Sequence, residues 1–151
     1  MRHLKLLAPV LALAVSACGN PDTPAGRAAD ARHESFEQMG DAMKLIGDEL
    51  KGGKPDIAKV QAAAATINGF APKVQGWFPA GSGPDDGIKT EARQEIWKKP
   101  AEFQAAANRF VDEAHTFNVL AQAGDVAALG KGMEALGGSC KGCHDKFKEA
   151  D

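Results

Sequence analysis

Four segments of this chain carry apolar residues at intervals of three and four, the spacing that places them on one face of an α-helix. The segments run roughly over residues 36–50, 57–74, 103–121 and 126–147. No segment alternates apolar and polar residues as a half-buried strand does. The connections between the segments are short, long and short. The pattern therefore predicts an all-α fold, an antiparallel four-helix bundle.

Glycine, proline and aspartate mark the expected helix boundaries. Residues 52–53 are both glycine and are expected to end the first helix. Pro55 is expected at the first position of the second helix, where its missing N–H costs nothing. Gly124 is expected to end the third helix, and Asp125 to cap the fourth. Residues 76–100, rich in Pro and Gly, are expected to form the long connection.

The N-terminus resembles a bacterial export signal. A basic start precedes an apolar run over residues 6–15 that is too short for a membrane helix. Residues 1–17 are therefore predicted to be a signal peptide. Residues 15–18, Val-Ser-Ala-Cys, resemble the lipobox of bacterial lipoproteins, in which Cys18 is lipidated and becomes the new N-terminus. An ordinary signal cleaved after Ala17 is the alternative, and it would leave an exposed thiol.

The rest of the chain is predicted to contain a tether and one domain. Residues 18–27 are expected to be a flexible tether, and residues 28–151 the folded bundle. Loss of the signal leaves 16 Lys and Arg against 20 Asp and Glu. An acidic balance of this kind argues against nucleic acid as a partner.

Residues 140–144 read Cys-Lys-Gly-Cys-His, the spacing of the haem-attachment motif C-x-x-C-H. Residues three apart share one face of a helix, so Cys140 and Cys143 can both reach the vinyl groups of one haem. His144 follows directly and can reach the iron from one side. The motif predicts one covalently bound haem c.

Three other chemistries use similar cysteines. A thioredoxin-like site needs a βαβ setting, which the pattern of the chain does not offer. A structural zinc site needs four ligands, and no second Cys or His pair lies near this one in the sequence. A local disulfide between Cys140 and Cys143 leaves His144 without a role.

The first helix carries further candidate residues. Arg32 lies four residues before Phe36 and so extends the apolar stripe, where an unpaired cation is expensive. It either reaches water at a frayed helix start or pairs with an anion. Met39 lies one turn after Phe36, and its thioether is a possible iron ligand or simply part of the core. His33 lies off the stripe and is expected to face solvent.

Residues outside the motif are expected to have structural roles. His115 lies off its own stripe and is expected to face solvent. The phenylalanines at 103, 110 and 117 recur every seven residues and are expected in the core. Trp77 and Trp97 are expected to anchor the long connection.

The sequence resembles the cytochrome c′ family, the class II c-type cytochromes. The resemblance rests above all on residues 137–147, Gly-Gly-Ser-Cys-Lys-Gly-Cys-His-Asp-Lys-Phe, because the motif lies near the end of the chain. Residues 121–125, Ala-Gln-Ala-Gly-Asp, and 95–97, Glu-Ile-Trp, also match. Arg32 followed by Phe36 resembles the start of the family's first helix.

The resemblance implies a left-handed bundle, often homodimeric, with a five-coordinate iron that has His144 as its protein ligand. It implies an apolar distal pocket that binds nitric oxide or carbon monoxide, with Phe36 over the vacant iron face and Arg32 on a propionate. Family members often have Arg four residues after the ligand His. Here Lys148 holds that place on the proximal side, so the charge is kept and the guanidinium geometry is lost.

Three functions follow as hypotheses. The first is an exported, periplasmic gas-binding cytochrome that takes part in electron transfer and is not an enzyme. The second is a six-coordinate, low-spin electron carrier with Met39 or His33 as second iron ligand. The third is a peroxidase, which needs polar distal groups that the first helix barely supplies.

Overall fold

A computed structural model describes residues 19–150 of the chain. The predicted signal peptide and Cys18 lie outside these residues. Four long helices and one short one are present: α1 (Pro24–Lys51), α2 (Ile57–Phe70), α3 (Glu95–Lys98), α4 (Pro100–Ala123) and α5 (Val126–Phe147). Two 3₁₀ helices, Ala71–Trp77 and Pro84–Asp86, lie between α2 and α3.

The long helices form the expected four-helix bundle, which confirms the predicted fold class. α4 packs on α5, α1 on α2, and α2 on α4, whereas α1 and α5 contact each other sparsely. The apolar faces of these helices form the core, and the phenylalanines at 103, 110 and 117 are all buried. Within residues 19–150, no helix is both long enough and apolar enough to cross a membrane.

The caps explain most of the helix boundaries. Gly124 adopts a φ of 68°, the left-handed conformation that glycine takes without steric cost, and ends α4. The Asp125 side chain accepts from the N–H of Ala128 and caps α5. The prediction for Pro55 is wrong by two positions. Asp56 is the N-cap of α2, and the helix begins at Ile57, because the Asp56 carboxylate satisfies the first orphan N–H groups.

Hydrogen bonds hold the long connection to itself and to the end of α5. The Trp97 indole N–H donates to the carbonyl of Pro79 at 3.1 Å, which confirms that this tryptophan anchors the segment. Further along, the backbone N–H of Arg93 donates to Phe147 O at 2.8 Å. The N–H of Glu149 donates to Glu91 O at 2.7 Å. The connection is thereby paired with the chain just after α5.

The predicted tether over residues 18–27 is incorrect for the described part. α1 begins at Pro24, capped by the Thr23 hydroxyl, so the helix includes residues that were expected to be flexible. The Asn20 side chain accepts from the N–H of Lys89 at 2.7 Å and donates to Lys89 O at 3.1 Å. A Cβ at Gly26 would overlap the Pro21 carbonyl. This segment is therefore packed against the domain.

Candidate functional site

Contacting aromatic rings bring α1, the start of α4, the end of α5 and the long connection together. The Phe36 ring of α1 lies 6.3 Å from that of Phe78, measured between centroids. Phe78 lies 5.0 Å from Phe103 of α4, and Phe103 lies 5.4 Å from Phe147 of α5. We call this region the aromatic end of the bundle. It places Phe36 of α1 and the C-x-x-C-H segment at the same end, although the two are more than a hundred residues apart.

Trp77 extends the same cluster. Its ring lies 5.2 Å from Phe36 and 5.9 Å from Phe70, both in edge-to-face geometry. Trp77 therefore anchors the start of the connection to α1 and α2, as expected. Such edge-to-face pairs contribute about 0.5–1.5 kcal/mol each beyond their buried area.

Cys140 and Cys143 lie on the last turns of α5, half-buried against the core beside the aromatic end. Both thiols are free in the structure. They belong to the same helical stripe as buried Leu136 and Phe147. A helix in an all-α bundle is not the setting of a thioredoxin-like site. The arrangement instead presents two thiols to one apolar region, as a doubly attached haem requires.

Burial keeps both thiols protonated. It raises the pKa of Cys140 above its usual value, against a hydrogen bond with Ser139 that lowers it. Burial, with the neighbouring Cys140, raises the pKa of Cys143 to about 11. Within residues 19–150, no three His, Cys, Asp or Glu side chains are grouped as ligands of a single metal ion.

His144 lies on the outer side of α5, exposed, beside a surface cleft of about 540 Å³. Arg93, Lys148 and Glu149 also line this cleft. Lys148 lies 3.3 Å from a carboxylate oxygen of Glu91, so the long connection fixes it on this side. The structure thus places His144 and Lys148 in one cleft. Arg93 is a cleft residue that the sequence analysis did not identify.

Arg32 is buried, with 3% of its surface exposed, which excludes the alternative of a frayed end reaching water. Its Nη1 donates to Ser82 Oγ at 2.8 Å. Its Nη2 donates to Ser82 O at 2.7 Å and to Thr90 Oγ1 at 2.8 Å. Ser82 and Thr90 were missed by the sequence analysis, because helical spacing carries no information about loop residues fifty positions away.

Two aromatic rings flank the Arg32 guanidinium. Its guanidinium carbon lies 4.9 Å from the Phe78 ring and 5.8 Å from the Trp97 ring. Burial lowers the pKa of the guanidinium from its usual value, and the negative charge of Asp30 opposes that change. A guanidinium remains charged in proteins despite such a shift, so the aromatic end contains a buried cation.

The other first-helix candidates lie where their spacing predicts. Phe36 is half-buried in the aromatic end, and Met39 is buried in the main core. His33 is exposed and lies near Glu37, and His115 on α4 is also exposed. His33 therefore faces away from the core, and of the two proposed second ligands only Met39 points inward.

These residues fit a haem c group. Two thiols face one apolar region from a single helix, and an imidazole follows directly after them. A buried cation that forms no ion pair with a carboxylate of residues 19–150 lies at the same end of the bundle. Aromatic side chains supply flat apolar surfaces for a macrocycle.

Comparisons with known proteins point to one family. The family model described as cytochrome C′ matches residues 27–148. The cytochrome c′ of Pararhodospirillum photometricum is 39% identical over 119 residues, covering 78% of this chain and 93% of that protein.

Two solved structures are similar as well. A cytochrome c′ with ligand-controlled dimer dissociation has a TM-score of 0.78 at 26% identity, covering 86% of this chain and 100% of the other. A nitric oxide complex of a cytochrome c′ mutant from Alcaligenes xylosoxidans has a TM-score of 0.75 at 25% identity. That similarity covers 84% of this chain and 97% of the other.

Proposed function

The chain belongs to the cytochrome c′ family and carries one covalently bound haem c, and we propose that its iron is five-coordinate and binds nitric oxide and carbon monoxide. The observation that carries this proposal is the apolar character of the side chains on α1 at the aromatic end, where Phe36 meets Trp77 and Phe78. The nitric oxide complex of a related cytochrome c′ supports the choice of ligand.

Cys140 and Cys143 hold the haem in this proposal. Each thiol adds across one vinyl group, its sulfur bonding to one vinyl carbon and its hydrogen passing to the other, so no oxidant is consumed. The half-buried positions of both thiols on one face of α5 support this assignment. The bound group supplies an iron that accepts electrons and diatomic ligands.

His144 is the axial ligand, and Lys148 is the basic residue on the proximal side. Both line the cleft next to the end of α5, which supports this pairing. Lys148 contributes a positive charge there without the bidentate geometry of an arginine.

Arg32 binds a propionate, and Phe36 covers the vacant iron face. A buried guanidinium next to hydroxyls and aromatic rings favours a carboxylate partner, because its hydrogen-bond acceptors among the described residues are all uncharged. Phe36 gives a bound oxygen molecule no hydrogen bond. This environment favours nitric oxide and carbon monoxide.

A non-enzymatic role follows from the same side chains. A peroxidase needs polar groups that assist cleavage of the O–O bond. The inward-facing residues of α1 next to Phe36 are Met39 and Arg32, and the Arg32 N–H groups are largely engaged with Ser82 and Thr90. We propose gas binding, with participation in electron transfer, in place of catalysis.

The second candidate is a six-coordinate electron carrier with Met39 as the sixth ligand. Its support is the burial of the Met39 side chain, which has 5% of its surface exposed and lies one turn from Phe36. We rank it second because Met39 is buried among the core residues, whereas Phe36 contacts the rings of the aromatic end.

One set of spectra tests the proposal and separates the two candidates. Acid–acetone extraction should leave the colour on the protein, and mass spectrometry should give the processed chain plus one haem. The ferrous spectrum should be high-spin and should change on addition of carbon monoxide. A low-spin ferrous spectrum that Met39→Ala converts to high-spin would establish the electron carrier instead.

We also propose an exported homodimer. Export follows from the signal-like residues 1–17 and from haem c attachment, which occurs outside the cytoplasm. The dimer named for a similar cytochrome c′ supports a dimer here. Sedimentation of the ferrous protein with and without carbon monoxide measures both the dimer and its response to ligand.

A further inference from the structure

We propose that Ser82 and Thr90 are positioning residues that hold the Arg32 guanidinium in place to bind a haem propionate. This inference rests on the Arg32 contact of the proposed function and adds the residues that set its geometry. Both residues belong to the long connection between α2 and α4, which carries no part of the C-x-x-C-H motif.

The contacts to Arg32 are short, and they involve buried groups. Ser82 is fully buried, with 0% of its surface exposed. Its hydroxyl and its carbonyl accept from Nη1 and Nη2 at 2.8 Å and 2.7 Å, and Thr90 Oγ1 accepts from Nη2 at 2.8 Å. These bonds use three of the five N–H groups of the guanidinium. The N–H of Nε and one N–H of Nη1 make no hydrogen bond with the described residues and remain for carboxylate oxygens.

Ser82 is itself held by the fold of the connection. Its hydroxyl donates to Pro79 O at 2.8 Å, and its lone pairs are thereby left to Arg32. The Trp97 indole donates to the same carbonyl at 3.1 Å. A Cβ on neighbouring Gly83 would come within 3.0 Å of the Trp97 ring, so the backbone packs there as closely as glycine allows. Ser82 is a fixed acceptor and not a mobile loop hydroxyl.

Thr90 connects Arg32 to the haem-bearing helix. Its Oγ1 also accepts from the N–H of Ala92 at 3.1 Å. Ala92 forms an antiparallel bridge with Lys148, four residues after His144. The hydroxyl that orients Arg32 therefore belongs to a segment that is fixed relative to the end of α5.

The buried cation has a charge that no described carboxylate neutralises by direct contact. The rings of Phe78 and Trp97 lie 4.9 Å and 5.8 Å from the guanidinium carbon of Arg32 and restrict the plane of the guanidinium. A cation held at a fixed distance from the haem stabilises the ferrous state and the ionised propionate. Loss of its orientation lowers the reduction potential and raises the propionate pKa.

The test uses the holoprotein and variants Ser82→Ala, Thr90→Val and their combination. Potentiometric titration over a range of pH gives the midpoint potential and the pH at which the propionate ionises. Each single variant should lower the potential and move the ionisation to higher pH, and the combination should do so more. Retained covalent haem and a native far-ultraviolet circular dichroism spectrum show that each variant folds. Thr66→Val, on the surface of α2 where the Thr66 hydroxyl donates to Ala62 O, should change neither quantity.

Arg32→Gln separates the inference from its premise. Arg32→Gln should shift the midpoint potential and the pH of propionate ionisation further than the combined variant does. Adding Ser82→Ala to Arg32→Gln should cause no further shift, because the hydroxyl acts through Arg32. The positioning role is overturned if Ser82→Ala causes the same shift in the unmodified protein and in Arg32→Gln. It is also overturned if Arg32→Gln shifts the two quantities and the combined variant does not. If Arg32→Gln leaves both quantities unchanged, the propionate contact of the proposed function is wrong, and this inference falls with it.

Discussion

Under the proposed placement of Phe36 over the iron, Phe36→Ala should speed carbon monoxide binding, because an incoming ligand would have to displace the Phe36 ring. The ring is half-buried and is held by edge-to-face contact with Trp77 at 5.2 Å and by a tilted contact with Phe78 at 6.3 Å. A ligand can occupy the same space only after these contacts are broken or rearranged.

The size of the effect follows from those two contacts. Each ring pair is worth about 0.5–1.5 kcal/mol, so moving the ring aside costs about 1–3 kcal/mol. A factor of ten in rate corresponds to about 1.36 kcal/mol, so removal of the ring should raise the association rate about 5- to 150-fold. The same variant should lower the free energy of unfolding by about 2 kcal/mol, roughly half the cost for a fully buried phenylalanine.

Stopped-flow mixing of the ferrous protein with carbon monoxide measures the association rate, and the ferrous spectrum should stay high-spin. Phe110→Ala is the matched control, since Phe110 is buried two turns further along α4 than Phe103. It should destabilise the fold by about 3–5 kcal/mol without accelerating binding. Equal association rates for Phe36→Ala and the unmodified protein would refute the placement of Phe36 over the iron.

Three further outcomes are expected. Mass spectrometry of the N-terminal peptide from native cells should find Cys18 lipidated, and an unmodified Cys18 on a periplasmic protein would rule out the anchor. Gly26→Ala should lower the melting temperature, because its Cβ would overlap the Pro21 carbonyl; an unchanged melting temperature would mean that this segment detaches at no cost. Asp125→Ala should cost about 1 kcal/mol in chemical denaturation by removing the cap at Ala128, whereas Asp125→Asn should retain most of it.

The helices and the C-x-x-C-H segment could be predicted because their signals are local. Apolar residues that recur with a period of 3.6 predict which face of a helix is buried, whichever helix packs against it. The faces that contain Phe103 and Leu136 are buried as expected. Cys140, Cys143 and His144 lie within five consecutive positions of one helix. Their relative placement therefore follows from helix geometry alone.

The start of the bundle was mispredicted although its signal was present. Thr23 followed by Pro24 is the usual N-cap and first position of a helix, and the structure uses both in that way. The Pro and Gly content of residues 19–26 suggested a loop. The docking of Asn20 on Lys89 could not be predicted, because the two residues are 69 positions apart and the contact depends on how the long connection folds.

Arg32 shows where local reasoning ends. Its position on the apolar stripe of α1 shows that a cation is buried and that it needs acceptors, and burial in the structure agrees. The acceptors, Ser82 and Thr90, lie in a connection whose sequence suggested only turns. The Pro79 carbonyl accepts from Ser82 and Trp97, and Thr90 accepts from the N–H of Ala92. The motif on α5 determines where a haem can attach. Under the proposed contact between Arg32 and a haem propionate, the fold of the connection sets the position of that charge. Differences in redox behaviour among chains with the same motif should therefore depend on residues such as Ser82.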